Sequence, residues 1–111
     1  MTSYEHRQFT DEALRPSSNH PDLISWGPLA EIGGYQIEYV KWMPGTVYPD
    51  HTHLDPEYIF LISGDLSDGQ TTFLPRTLIT YPAASRHDRL RTDAGAEFIL
   101  MFTGNERLQG V

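Results

Sequence analysis

From about residue 22 onward the chain is a succession of short apolar runs broken by glycine, proline and aspartate. Within the runs the apolar positions recur every second residue, the period of an extended strand rather than of a helix. Strands are expected over residues 23–26, 35–43, 47–53, 57–62, 71–74, 78–81, 87–91 and 97–102. The punctuation between them is turn chemistry: Gly33-Gly34, Pro44-Gly45, Ser63-Gly64-Asp65, Asp68-Gly69 and Asp93-Ala94-Gly95. Roughly eight or nine short strands joined by connections of about two to six residues suit a small all-β barrel or sandwich. Periodicity alone does not separate the two.

The phase of the pattern also assigns faces. If Glu57 points to the interior, Ile59 and Leu61 share its side, and Tyr58, Phe60 and Ile62 face the other way. Residues 97–102 are apolar on both faces, with Phe98, Leu100 and Phe102 opposing Ile99 and Met101. A strand apolar on both sides has to be covered on both. The expected outer cover is a second copy of the chain, a homodimer, with the N-terminal stretch as the competing cover.

Residues 1–21 are polar, rich in Ser, Asn, His and Pro, and read as an N-terminal arm ahead of one domain spanning residues 22–111. Thr10 to Leu14 can open a short helical turn, capped by Thr10 or Asp11 and closed by Pro16. His6 and His20 lie in this stretch outside any ligand spacing and read as surface residues.

Composition narrows the class. A chain of 111 residues holds one domain with a modest core. The net charge of −7 argues against nucleic acid or an anionic membrane as partner, since both demand basic surface. Cysteine is absent, which removes disulfides and thiolate ligands and fits a cytoplasmic location. Neither a signal-like apolar run at the N-terminus nor a long apolar span elsewhere is present.

The candidate chemistry is concentrated between Gly45 and Gly64. His51 and His53 are two apart, so in an extended chain they share a face. Glu57 lies an even number of positions on, after Pro56. Two imidazoles and a carboxylate on one side form a coordination shell for a divalent transition metal. The competing reading is a His-x-His pair on a solvated strand with an unrelated acid nearby.

The spacing of Gly45, His51, His53, Glu57 and Gly64 resembles the first motif of the cupin superfamily, and Pro82-Ala83-Ala84-Ser85-Arg86-His87 resembles its second. This chain carries Arg76 and Ala84 where the second motif commonly has glycine, and Arg91 where asparagine is common. The resemblance spans about residues 35–103. It implies a jelly-roll, a double-stranded β-barrel, and adds His87 to the ligand set of His51, His53 and Glu57. Three histidines and one carboxylate leave two positions open on an octahedral ion. Such a site suits Fe(II), the favoured ion, and also Mn(II), Ni(II), Co(II) or Zn(II). Arg89 and Arg91 follow His87 at even spacing. On a regular strand Arg89 would enter the cavity and clamp a substrate oxygen; otherwise Arg86, Arg89 and Arg91 form a solvated rim paired with Asp88 and Asp93.

Among cupins the chain is similar to two groups. One is the cupin domain of ChrR-type anti-sigma factors, which share a turn like Ser63-Gly64-Asp65-Leu66-Ser67-Asp68. Their helical, cysteine-using zinc domain has no counterpart here, which disfavours an anti-sigma role. The other is the acetylacetone dioxygenase-like enzymes, matched at His51, His53 and His87, with Glu57 as an addition. The resemblance thus implies a metal-dependent dioxygenase acting on a small chelating compound such as a β-diketone, an enol or a phenolic ketone, with Glu57 as metal ligand or general base. The alternative is a non-catalytic metallo-cupin that serves as a small-ligand sensor or binding module.

Overall fold

The computed structural model describes residues 3–49, 51–52, 55–87 and 89–103. Among these described residues ten strands account for the regular structure, with one 3-10 turn at Asp11–Ala13. They are β1 (Arg15–Pro16), β2 (Ile24–Ile32), β3 (Tyr35–Trp42), β4 (His51–Thr52), β5 (Glu57–Gly64), β6 (Leu66–Ser67), β7 (Thr72–Phe73), β8 (Leu78–Tyr81), β9 (Arg86–His87) and β10 (Ala96–Thr103). The main sheet has the order β1-β2-β3-β10-β5-β8 and is antiparallel throughout.

A second layer is built from the shorter pieces. β4 pairs with β9, β6 pairs with β7, and bridges from Arg91 to both Val47 and Ser67 tie these pairs together. Val47 opposite Arg91, His51 opposite His87 and Thr52 opposite Arg86 keep one register, so these described residues follow a single interrupted ladder. Pro49, which has no N–H to donate, interrupts the first of these segments. This two-layered, nearly helix-free arrangement is the all-β class expected from the strand pattern and the jelly-roll that the motif resemblance implied.

The core lies between the layers. β10 alternates buried and partly exposed residues along its whole length, with Ala96, Phe98, Leu100 and Phe102 inward. On β5 the inward residues are Glu57, Ile59 and Leu61, while Phe60 and Ile62 remain 41% and 37% exposed on the outer face. Both assignments follow the period-two reading. Leu66 and Leu90 close the core from the second layer.

Several elements differ from the expectation, and the strands expected over 47–53 and 87–91 shorten to His51–Thr52 and Arg86–His87. The first strand was expected to stop at Trp26 before Gly27-Pro28. Instead β2 continues to Ile32, and the extra residue is absorbed by a register shift between Pro28 and Ala30. The N-terminal stretch is docked against the sheet. Pro16 and Arg15 pair with Ser25 and Trp26, and Ser17 N–H donates to the Ile24 carbonyl at 2.9 Å. Phe9 stacks on Tyr39 with ring centroids 4.5 Å apart. The ring lies over Gly27, where a Cβ would collide with it. This covers the β2–β3 part of the outer face. The short turn at Asp11–Ala13 sits where the sequence places it, but Thr10 makes no side-chain cap bond.

Candidate metal and ligand site

The two ends of the first motif take the conformation that glycine makes cheap. Gly45 and Gly64 have φ of +83° and +82°. At Gly64 a side chain would also strike the Gly95 carbonyl, so β5 and β10 approach there only because no Cβ intervenes. The second-motif positions where glycine is common keep this geometry without glycine. Arg76 and Ala84 have φ of +73° and +70°. The turn survives the substitutions at the cost of a left-handed backbone in an L-residue.

Topology brings three of the four candidate ligands, His51, His87 and Glu57, toward one corner. His51 on β4 and His87 on β9 are facing Cα partners. Facing residues of an antiparallel pair lie about 4.5–5.5 Å apart at Cα. Glu57 opens β5 and faces Tyr81 on β8. Residues 53–56 connect β4 to β5, and residues 82–85 connect β8 to β9. The His51–His87 rung and the Glu57–Tyr81 rung are therefore joined by a short connection on both sides, at one corner of the barrel. His53 lies outside the described residues, as does Asp88. Among the described residues no group of three His, Asp or Glu side chains is assembled into a metal shell.

Glu57 is 2% exposed although it is charged. Burying a carboxylate is costly unless a cation or hydrogen-bond donors compensate it, and a divalent ion supplies such a charge. A buried acid at the same corner as a facing histidine pair has the donor chemistry of an N/O metal site. Tyr81, opposite Glu57, has its phenol pKa pushed up, first by burial and then by the negative charges of Glu57 and Asp68, so it stays a neutral O–H group.

The site opens into a cavity of about 170 Å³ between the layers. Glu57 and Ile59 line it from β5, Phe98, Leu100 and Phe102 from β10, and Glu38, Val40 and Trp42 from β3. Tyr48 and Leu90 face it from the second layer, and Pro16, Ser17 and Ser18 of the docked N-terminal stretch close one side. Trp42 stacks on Tyr48, with centroids 5.6 Å apart and planes 12° from parallel, and meets the edge of Phe98. Trp42 and Tyr48 are thus wall residues.

Glu38 was not singled out from the sequence, yet it is 5% exposed and lines the same cavity. The signal was available, because Glu38 is in phase with Val40 and Trp42 on an alternating strand. Arg89 stands elsewhere. β9 ends at His87, Arg89 has φ of +55°, and its side chain is exposed and outside the cavity lining. The condition under which it would point inward, a regular strand through residue 89, is not met.

The acidic turn after Gly64 is structural. Asp65 accepts hydrogen bonds from Thr92 Oγ1 at 3.0 Å, Asp93 N–H at 3.2 Å and Ala94 N–H at 2.9 Å. Asp68 Oδ1 accepts from the N–H groups of Gln70 and Thr71 at 2.9 and 2.7 Å, which closes the β6–β7 hairpin. Both carboxyls are held below their usual range, Asp65 first by Ala94 N–H and Asp68 first by Thr71 N–H.

Comparison with solved structures returns this architecture repeatedly. An acetylacetone dioxygenase from Acinetobacter johnsonii superposes with a TM-score of 0.77 at 17% identity, over 94% of this chain and 76% of that one. A protein of unknown function with a cupin-like fold from Ralstonia eutropha JMP134 gives 0.74 at 20% identity, covering 94% and 71%. An RmlC-like cupin from Shewanella frigidimarina NCIMB 400 gives 0.72 at 16% identity, covering 93% and 94%. At such identities the likeness establishes the fold. No curated protein matches the sequence. The family profile of the ChrR cupin-like domain does match, across residues 6–107, and with the jelly-roll and both motifs in place the chain belongs to that cupin family.

Proposed function

We propose that the chain is a metal-dependent dioxygenase that acts on a small, metal-chelating compound, a β-diketone, an enol or a phenolic ketone. The observation that carries this reading is the facing pair His51 and His87 at the corner where buried Glu57 enters an aromatic-walled cavity. His51, His53, His87 and Glu57 would hold the ion, with Fe(II) favoured among divalent metals. The bound metal supplies Lewis acidity and a place for dioxygen beside the chelated substrate.

The remaining roles belong to the chain's own groups. The wall of Trp42, Tyr48, Phe98 and Phe102 excludes water and packs the substrate's apolar body. Glu57 Oε atoms either stay on the metal or accept the proton from the substrate's acidic C–H or O–H, which leaves an enolate. Tyr81, kept protonated, is a neutral donor on the strand facing Glu57. The similarity to an acetylacetone dioxygenase supports this reaction class. Membership of the ChrR cupin-like family favours the second reading, a non-catalytic metal-binding module that senses a small ligand.

One assay separates them. Protein purified without oxygen is analysed for metal, loaded with Fe(II), and given β-diketones, hydroxy-ketones and catechol-like phenols while dissolved oxygen is followed. Metal-dependent oxygen consumption with product formation is expected. Binding of these compounds by the Fe(II), Mn(II) and Ni(II) forms without oxygen uptake or product would overturn the enzyme reading in favour of the module.

A further inference from the structure

We propose that the N-terminal strap, residues 9–18, is the door of the cavity: ligands pass when it lifts off the edge of β2, and Phe9 is the latch that holds it shut. The inference rests on reading the cavity as the ligand chamber, and it adds how a ligand reaches that chamber. Pro16, Ser17 and Ser18 line the cavity, so the strap forms one of its walls. Behind that wall stand Trp26 and Val40, in register with Arg15 on the next two strands, and both line the cavity as well. Lifting the strap therefore opens the space between the layers at the edge of the sheet.

The strap is the least secured of the cavity's walls. β3, β5 and β10 are each paired on both sides. On the second layer Tyr48 N–H donates to the carbonyl of buried Leu90 at 2.8 Å. β1, by contrast, is an edge strand that holds β2 by two rungs, Arg15 with Trp26 and Pro16 with Ser25, and both of its residues are exposed. Pro16 has no N–H to add to the ladder, and the bond from Ser17 N–H to Ile24 follows it. Between residues 3 and 13 only Phe9 is partly buried, stacked on Tyr39 and lying over Gly27. Other ties lie at the surface. Arg7 donates to the Pro28 carbonyl at 3.2 Å, Asp11 is 4.0 Å from Lys41, and the Arg15 guanidinium is 5.2 Å from the Trp26 ring centre. Exposed charge contacts of this kind contribute little. A segment with few buried apolar contacts opens before the core does. The pivot is fixed, because the His20 carbonyl accepts from Leu23 N–H and Ile24 N–H at 3.1 and 2.9 Å and keeps the chain beyond it on β2.

The chain has no cysteine, so an introduced one is its single thiol. Val40→Cys places that thiol on the cavity wall. Leu61→Cys, at a position 0% exposed and outside the lining, reports opening of the whole core. Each full-length variant is labelled with methyl methanethiosulfonate and followed by mass spectrometry, before and after Phe9→Ala. Labelling tracks the population of open molecules when closing is fast, and one stacked aromatic ring shifts such an equilibrium by about tenfold. Phe9→Ala should therefore speed labelling at residue 40 by about tenfold and change residue 61 by less than about twofold. A rate at residue 40 unmoved by Phe9→Ala, or an equal rise at both positions, would overturn the proposal. Hydrogen exchange in the wild-type protein decides by itself if a variant does not fold. Ser17 N–H on the strap should exchange at least about a hundredfold faster than Tyr48 N–H on the opposite wall. Equal protection of the two would show that the strap opens only with the whole fold, and it too would overturn the proposal. Failure of the dioxygenase reading looks different: the strap still gates residue 40 while no chelating compound drives oxygen uptake.

Discussion

His51 and His87 are facing residues of one antiparallel rung, although they belong to different motifs and are separated in the chain by the whole of β5 to β8. The rung is what brings two short sequence patterns next to each other in the fold. Histidine binds metal only when neutral, so protons compete as the pH falls below about 6.5. Metal content should therefore drop in mild acid, and His51→Ala or His53→Ala should abolish it at neutral pH. Glu57→Ala should weaken it less, because three imidazoles remain. Metal analysis after gel filtration checks this, and full occupancy in the His51→Ala, His53→Ala double variant would refute the assignment.

Glu57→Gln separates holding the metal from moving a proton. The amide keeps the volume and an acceptor oxygen at a site only 2% exposed. If Glu57 is the base, most of the metal stays and turnover falls by about a hundred- to ten-thousand-fold. Parallel loss of metal and turnover would make it a ligand only.

Arg76 and Ala84 hold left-handed backbone at φ of +73° and +70°. Left-handed backbone costs an L-residue about 1–2 kcal/mol, and glycine returns about 0.4–1 kcal/mol of that as unfolded-state entropy. Arg76→Gly and Ala84→Gly should each raise stability by about 0.5–1 kcal/mol in urea titrations, with the fold unchanged. A loss of stability in both would show that the turns are not strained.

Asp65 gathers three hydrogen bonds from the Thr92–Ala94 loop. Its folded pKa is depressed, so its contribution is present above the unfolded value of about 3.9 and is lost as pH falls through the folded value. Asp65→Ala should cost about 2–3 kcal/mol at neutral pH. The gap between wild type and variant should narrow below about pH 4. Urea midpoints measured from pH 3 to 7 test this, and a gap independent of pH would rule out the charge as its source.

The docked N-terminal stretch covers the outer face over β2 and β3, but Phe60, Ile62 and Leu78 on β5 and β8 stay 41%, 37% and 57% exposed. A homodimer that buries this remaining face is expected. Light scattering at micromolar concentration should give twice the chain mass, and Phe60→Glu should give the monomer. A wild-type monomer would leave the patch to another role.

The strand pattern and the turn residues were enough to determine the all-β class and the division of β5 and β10 into two faces, because each follows from a local period or a local backbone requirement. Local signals failed where the outcome depended on a neighbour. Gly27-Pro28 looks like a strand end, yet β2 runs through it because β3 supplies a partner on the far side of a bulge. Even spacing left Arg89 open between the cavity and a solvated rim, and the chain turns there at φ of +55° with the side chain exposed. Glu38 shares a face with Val40 and Trp42 by local phase, and closure of the two layers over that face of β3 makes it a wall of the cavity. Tertiary structure alone decided that the polar N-terminal stretch would dock, since Phe9 gains its place from Tyr39 and the open space over Gly27. Side-chain alternation is a property of one strand. Which side becomes the inside is settled by what the other strands place against it.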